Sequence, residues 1–205
     1  MTAAGRARSR VLPRAFYDRD ALEVAPALLN KVLVRNDDGP RLAARIVEVE
    51  AYRGADDPGS HAYRRQTPRN ATMFGPPGRL YVYFSYGTHW CMNAVCGPGN
   101  QPHAVLLRAA APLAGLDVMR ERRVAARRDR DLCAGPGRLG QAFGIDGSFD
   151  GVDLVRGALR ILDDGVGPPS KPGVSRRIGL GTDKGEELPL RFYVPGDANV
   201  SVKAR

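Results

Sequence analysis

Apolar and polar positions alternate most regularly over Leu42–Tyr52, a run of β-branched and small apolar residues that stops at a cluster of Gly, Asp and Pro. It reads as a strand entering a loop. Strict alternation would put Ile46, Glu48, Glu50 and Tyr52 on one face and Arg45, Val47, Val49 and Ala51 on the other. Two carboxylates and a ring beside so apolar a run are out of place on a solvated surface. Shorter strand patterns recur at Lys31–Arg35, Leu80–Ser85, His89–Cys96 and Ala104–Ala110, then near Leu159–Leu162, Arg176–Leu180, Leu190–Val194 and Val200–Lys203. Helical spacing is confined to three places. Leu22, Ala25, Leu28 and Leu29 follow a cap at Asp18 or Asp20, with Pro26 expected to kink or shorten the helix. Leu116, Met119 and Arg123 lie in a helix expected over Leu113–Arg128, and Cys133–Leu139 is a Gly/Pro turn opening a helix through Phe143. Many short strands with two or three helices predict a single α+β domain built on a curved, mainly antiparallel sheet. Residues 1–14 are basic without apolar periodicity and predict a flexible arm, which leaves 15–205 as the domain.

Composition changes the picture in two ways. A chain of 205 residues, 43% of them apolar, can bury a substantial core as one domain. Its net charge is +9, and all but four of its 31 basic residues are arginine, which suits bidentate contacts to phosphate, although a coding bias would give the same excess. The cysteines Cys91, Cys96 and Cys133 are odd in number and form no CxxC pair, which argues against a secreted disulfide framework and for a cytoplasmic protein. His89, Cys91 and Cys96 read as part of an apolar strand rather than as metal ligands. No apolar run approaches the roughly 20 residues that span a bilayer.

Chemistry gathers between Arg45 and Gly87. The loop Asp56–Asn70 carries His61 and the run Arg64-Arg65-Gln66-Thr67-Pro68-Arg69-Asn70; Tyr81 and Tyr83 share a strand face; Tyr86-Gly87 sits at a turn. This is the inventory of a pocket that stacks a flat ring, next to a surface that holds phosphate. By periodicity alone Glu48 and Glu50 are equivalent, and either could be a structural ion-pair partner. Tyr52 and Tyr83 could be core aromatics, His61 a loop histidine, and Asn93 and Arg108 hydrogen-bonded strand residues. A metal-dependent nuclease using Glu48, Glu50, Asp56 and Asp57, or a binding module without chemistry, would fit the same residues.

The strings EVEAY, SHAY, RQTPRN, MF before a Gly/Pro turn, and LYVY with YG downstream resemble the alkyladenine (3-methyladenine) DNA glycosylases. The likeness continues through CMNAV, VLLRAAAP, LCAGPGRLGQAFGI, RIGL and LPLRFYVPG, from Phe16 to Val202, with departures at Pro26 and over Tyr86–His89. The resemblance implies the same α+β fold and an enzyme that flips damaged purines, of the alkylated adenine, hypoxanthine or ethenoadenine type, out of double-stranded DNA and hydrolyses the N-glycosidic bond. It implies Glu50 as general base; Tyr52, His61, Tyr83, Asn93 and Arg108 at the base pocket; and Tyr86 as the side chain that fills the gap in the duplex. Arg65, Thr67 and Arg69 would contact DNA, as would Gly135, Gly137 and Arg138 at a helix start with free N–H groups. The expected protein is a monomer without metal or cofactor, nucleoid-associated if bacterial. No lysine lies between Arg45 and Arg108, so the expected enzyme is monofunctional.

Overall fold

A computed structural model describes residues 9–37, 39–85, 87–181 and 183–202. Nine strands form one sheet that curls into a half-barrel: β1 (Arg10–Val11), β2 (Val32–Arg35), β3 (Leu42–Tyr52), β4 (Leu80–Ser85), β5 (His89–Cys96), β6 (His103–Ala114), β7 (Leu159–Asp163), β8 (Gly173–Ser175) and β9 (Arg191–Tyr193). Seven of them run in the order β1-β7-β2-β3-β6-β5-β4, β9 pairs with β3 and β8, and every pairing is antiparallel. Among the described residues four short α-helices complete the α+β domain: α1 (Arg14–Tyr17), α2 (Ala21–Leu28), α3 (Leu116–Arg122) and α4 (Pro136–Phe143).

β3 is the hub. β6 covers one of its edges; on the other, β2 pairs with Leu42–Arg45 and β9 takes over at Glu48–Glu50. The β3–β6 ladder shifts register at Ala43/Ala44 and twice more on either side of Glu48. Ile46 faces Ala110 and Glu48 faces Ala109, which leaves Val47 as an extra residue in β3; Val49 then faces Leu107, which leaves Arg108 extra in β6. Each bulge reverses the alternation of its own strand. On β3 the main core takes Leu42, Ala44 and Ile46 before the bulge but Val49 and Ala51 after it; on β6 it takes Val105 and Leu107, then Ala110. Ile46 therefore packs in the core and does not share a face with the glutamates as strict alternation predicts. Glu48, Glu50 and Tyr52 are turned to the far side because one residue is looped out before them.

Several boundaries also differ from the sequence pattern. Arg10–Val11 pairs with β7, and Arg14 opens α1 with an ion pair to Asp153, so the segment before residue 15 is tied into the domain from Arg10 onward. Residues 1–8 lie outside the described residues. On α2, Asp20 is the N-cap and accepts from the Leu22 N–H, while Ala21, Val24, Ala25 and Leu28 are buried and Leu22 is exposed. The helix predicted over 113–128 is only α3, because β6 runs on to Ala114 and Gly115, at φ +74°, breaks the chain into the turn that starts α3. Residues 176–180 and 200–202 are not strands; the ladder stops at Ser175 and Tyr193, and the backbone beyond them serves side chains instead.

The main core lies between α2, α4 and one face of β3–β6. α4 approaches β5 so closely that a Cβ on Gly140 would run into the Trp90 carbonyl oxygen. Gly140→Ala should therefore destabilise the fold by about 1–3 kcal/mol, although alanine is the better helix former by about 1 kcal/mol. Urea denaturation checks the sign: a gain in stability would mean that the helix yields freely at this contact.

Candidate active site

The far face of β3, β6, β5 and β4 bounds a cleft of about 500 Å³. Tyr52, Arg108, Leu106, Asn93, Tyr81 and Tyr83 line it from the strands, while His61 and Ile178 reach it from loops. The loop carrying His61 is folded around Asn70, whose amide nitrogen donates to the carbonyls of His61 (2.7 Å) and Arg65 (3.0 Å) while its oxygen accepts from the Thr67 N–H (2.6 Å). Asn70 is buried, and a side chain that holds three backbone groups in this way substitutes for a ladder.

At the floor the two glutamates separate sharply. Both are fully buried. Glu48 Oε1 accepts from Arg108 Nε (2.9 Å), Arg191 Nε (2.8 Å) and Ser201 Oγ (2.9 Å), and Oε2 from the Ser201 N–H (2.6 Å). Burial alone would raise its pKa; the Arg108 and Arg191 charges and the Ser201 N–H outweigh burial and hold it below the usual carboxylate range. Glu50 accepts from the Ile178 N–H (2.7 Å) and Tyr52 Oη (2.9 Å), with Arg108 Nη1 at 3.2 Å. Here burial wins over Arg108 and the hydrogen bonds, and the pKa is raised. Glu50 lies directly behind Tyr52, Arg108 and Ile178, the residues that form the cleft floor. One carboxylate is satisfied on both oxygens and held ionised; the other has the higher proton affinity.

The walls are aromatic. His61 sits edge-on to Tyr83 with ring centroids 4.5 Å apart, and its Nδ1 lies 2.9 Å from Tyr81 Oη. Burial, helped by Arg69 and Lys184, lowers the His61 pKa to about 4, so the imidazole is neutral at neutral pH. Asn93, 4% exposed, donates from its amide to the Tyr81 carbonyl at 3.2 Å and so is fixed against the wall. Cys91 also lines the cleft, with burial pushing its thiol pKa up.

Arg69 lies at the cleft edge over the Tyr83 ring (5.8 Å), and Arg65 and Thr67 line an adjoining basic hollow. Gly135, Gly137 and Arg138 are at the start of α4, and Pro136 between them reaches the cleft; Gly137 lies flat against the His89 ring, which leaves no room for a Cβ. Tyr86 falls outside the described residues. Of the arginines around α3, Arg120 is paired with Asp117 and Asp129, and Arg128 with Asp131, so part of that basic run is neutralised locally. Asp57 is held by Arg177, and Glu48 by Arg108 and Arg191; among the described residues no group of three His, Cys, Asp or Glu could hold a metal ion.

Several site residues are absent from the sequence reading. Ile178 acts through its backbone N–H, which has no side-chain signal, and the segment that carries it reads as a strand. Arg177, Arg191 and Ser201 support the site from loops and from β9, the first two within the RIGL and LPLRFY strings; Asp57, a candidate metal ligand in the sequence, is instead the partner of Arg177. Lys184 also lines the cleft, from a loop far outside the Arg45–Arg108 stretch, so an amine does stand at its edge. No helix among the described residues is long and apolar enough to cross a membrane.

The sequence pattern of the methylpurine-DNA glycosylase (MPG) family matches residues 15–198. A protein of Burkholderia cenocepacia (strain HI2424) named "Putative 3-methyladenine DNA glycosylase" is 56% identical over 193 residues, covering 93% of this chain and 91% of its own. Proteins of the same name from Streptomyces avermitilis and Carboxydothermus hydrogenoformans are 47% and 43% identical; they align over 93% and 94% of this chain and 90% and 100% of their own.

The two glutamates should respond oppositely to loss of charge. Glu48→Gln leaves Arg108 and Arg191 short of a buried counter-charge and should cost about 3–5 kcal/mol, whereas Glu50→Gln should be close to neutral. The lowered Glu48 pKa contributes stability above its unfolded value that is lost as pH falls through the folded value. Ionised Glu50 has the opposite sign: its raised pKa favours the fold at low pH, and that contribution is lost as pH rises through it. Urea titrations of both variants at neutral pH measure the contrast; equal losses would mean that the two carboxylates are equivalent.

Proposed function

The chain belongs to the methylpurine-DNA glycosylase family, and from that premise we propose that it removes damaged purines from duplex DNA by hydrolysing the N-glycosidic bond, leaving an intact abasic site. The observation that carries the proposal is Glu50: a buried carboxylate with a raised pKa directly behind the floor of an aromatic cleft.

Departure of the base places positive charge on the sugar, so the reaction needs a carboxylate that accepts a proton from water and faces that charge. In this proposal Glu50 does both. Arg108 and the Ile178 N–H keep enough negative charge on it for the task, and Tyr52 fixes its second oxygen. A base inside a duplex is out of reach, so the nucleotide is flipped into the cleft, where Tyr52, Tyr83 and neutral His61 stack on or bond to the purine. Tyr86 fills the vacated position in the helix. Arg65, Thr67 and Arg69, with the α4 start at Gly135, Gly137 and Arg138, hold the phosphates. Alkylated adenine, hypoxanthine and ethenoadenine are the proposed lesions, and water is the only co-reactant.

Incubation of the protein with a hypoxanthine- or ethenoadenine-containing duplex, followed by alkaline cleavage of abasic sites, tests the activity. Glu50→Gln should bind the damaged duplex yet lose about two or more decades in excision rate. In the wild-type enzyme the rate should rise with pH as Glu50 ionises, along a limb with its midpoint above the ordinary glutamate value of about 4.3. Full excision by Glu50→Gln would remove Glu50 from the mechanism.

Asn93 is the proposed gate against normal guanine, which differs from hypoxanthine by one exocyclic amino group. A rigid buried amide rejects that group by crowding or by leaving it unpaired, a discrimination of about 1–3 kcal/mol. Asn93→Ser or Asn93→Ala should keep hypoxanthine excision and gain removal of guanine, most clearly from mismatches, where flipping is easier. Matched oligonucleotides carrying each base decide it: untouched guanine with normal hypoxanthine excision would make Asn93 a structural strand residue only.

A further inference from the structure

Asp57 and Arg177 form an ion pair that is almost wholly buried, with side chains 2% and 0% exposed. Arg177 Nη1 and Nη2 meet the two carboxylate oxygens at 2.5 and 2.7 Å. Asp57 also accepts from the backbone N–H groups of Arg53 (3.1 Å) and Gly59 (2.9 Å). The guanidinium has further ties: Nη1 donates to the Ala51 carbonyl at 3.1 Å, Nη2 to the Gly185 carbonyl at 3.2 Å, and its plane lies over the Tyr52 ring, 4.6 Å from the centroid. Gly59 leaves the space for this packing, since a Cβ there would meet Arg177 Nη2 at 2.7 Å. Neither Asp57 nor Arg177 lines the cleft.

A pair of this kind is weak evidence of stability, because the desolvation of two charges offsets most of their attraction. Its placement is more telling. Residues 176–181 carry no regular secondary structure, yet the N–H of Ile178, next to Arg177, must lie on Glu50 Oε1 at 2.7 Å. Ala51, which Arg177 binds, is the residue between Glu50 and Tyr52 on β3.

We propose that Asp57 and Arg177 are a positioning pair: by fastening the backbone at Arg177 and the Gly185 carbonyl to the end of β3, they hold the Ile178 N–H on Glu50 and keep the Tyr52 ring beside it. The pair acts on the reaction only through those two groups, and it rests on the reading of Glu50 as the base. Glu50 is faced by Glu48 and Tyr52 from β3, Arg108 from β6, Tyr83 from β4 and the Ile178 N–H from the loop, while Arg191 of β9 acts on it through Glu48. Among these the Ile178 N–H is the one partner held by no strand, and it favours the ionised form of Glu50. Slackening the loop therefore makes Glu50 harder to ionise.

The test uses the full chain with Asp57→Asn and Arg177→Lys, each followed by single-turnover excision of hypoxanthine across pH, by affinity for the damaged duplex and by thermal melting. Arg177→Lys keeps the charge but loses the flat fork. Loss of a hydrogen bond to a charged group should lower the rate at neutral pH roughly tenfold or more. The acid limb should move to higher pH, so that the deficit widens as pH falls, while affinity for the duplex changes little. A rate reduced equally at every pH, with the limb unmoved, overturns the proposal and leaves the pair a purely structural one. If both charge variants melt below the assay temperature, the pH profiles are taken at a temperature below their melting points, and an unmoved limb there counts against the pair equally. Absence of excision by the wild-type protein, or full activity of Glu50→Gln, is instead a failure of the glycosylase reading.

Discussion

One guanidinium stands between two fully buried carboxylates. Arg108 binds Glu48 through Nε and Glu50 through Nη1, and without it the strand could not keep both acids in the interior. Arg108 is there because it is the extra residue of a bulge, aimed off the regular face of β6 opposite the bulge at Val47. The distribution of its partners is uneven: Glu48 takes a second arginine and a serine, while Glu50 is left with a tyrosine hydroxyl and one backbone N–H. Two identical side chains, two residues apart, are thereby given different acidities by their neighbours.

Much of this was legible in the chain itself. β3, β4 and β5 occupy the residues that alternation and turn chemistry assign to them, and the residues quoted for the family resemblance fall around a single cleft: Tyr52, His61, Tyr83, Asn93 and Arg108 line it, and Glu50 lies behind it. The bulges were not legible. A register slip depends on what the partner strand does, and nothing local in Ile46-Val47-Glu48 marks one, so alternation alone groups Ile46 with the glutamates. The supporting shell was hidden for a related reason. Ile178 contributes only backbone, Ser201 comes from a segment that resembles a strand, and Asp57 and Arg177 are 120 residues apart in sequence. Such partners meet through the fold and have no spacing to read.

Net charge was a blunter guide than position. The arginines of α3 and the turn after it are in part paired with Asp117, Asp129 and Asp131. Arg69 at the cleft edge and Arg65 in the adjoining hollow sit instead beside Lys184, and burial, helped by the charges of Arg69 and Lys184, keeps His61 neutral. The sign of the whole chain is the same in both places; only the second faces the site.

The glycines of α4 give the cleft two unlike sides. Gly137 and Gly140 bring the helix backbone against the His89 ring and the Trp90 carbonyl, with no side chain between to act as a bearing. Helix, strand and the Pro136 lip are in effect one fixed jaw. The opposing jaw, made of the loops around His61 and Ile178, is fastened by polar bonds to irregular backbone rather than by a ladder. The cleft is thus shaped like a caliper, with a close-packed helix and strand on one side and hydrogen-bonded irregular backbone on the other.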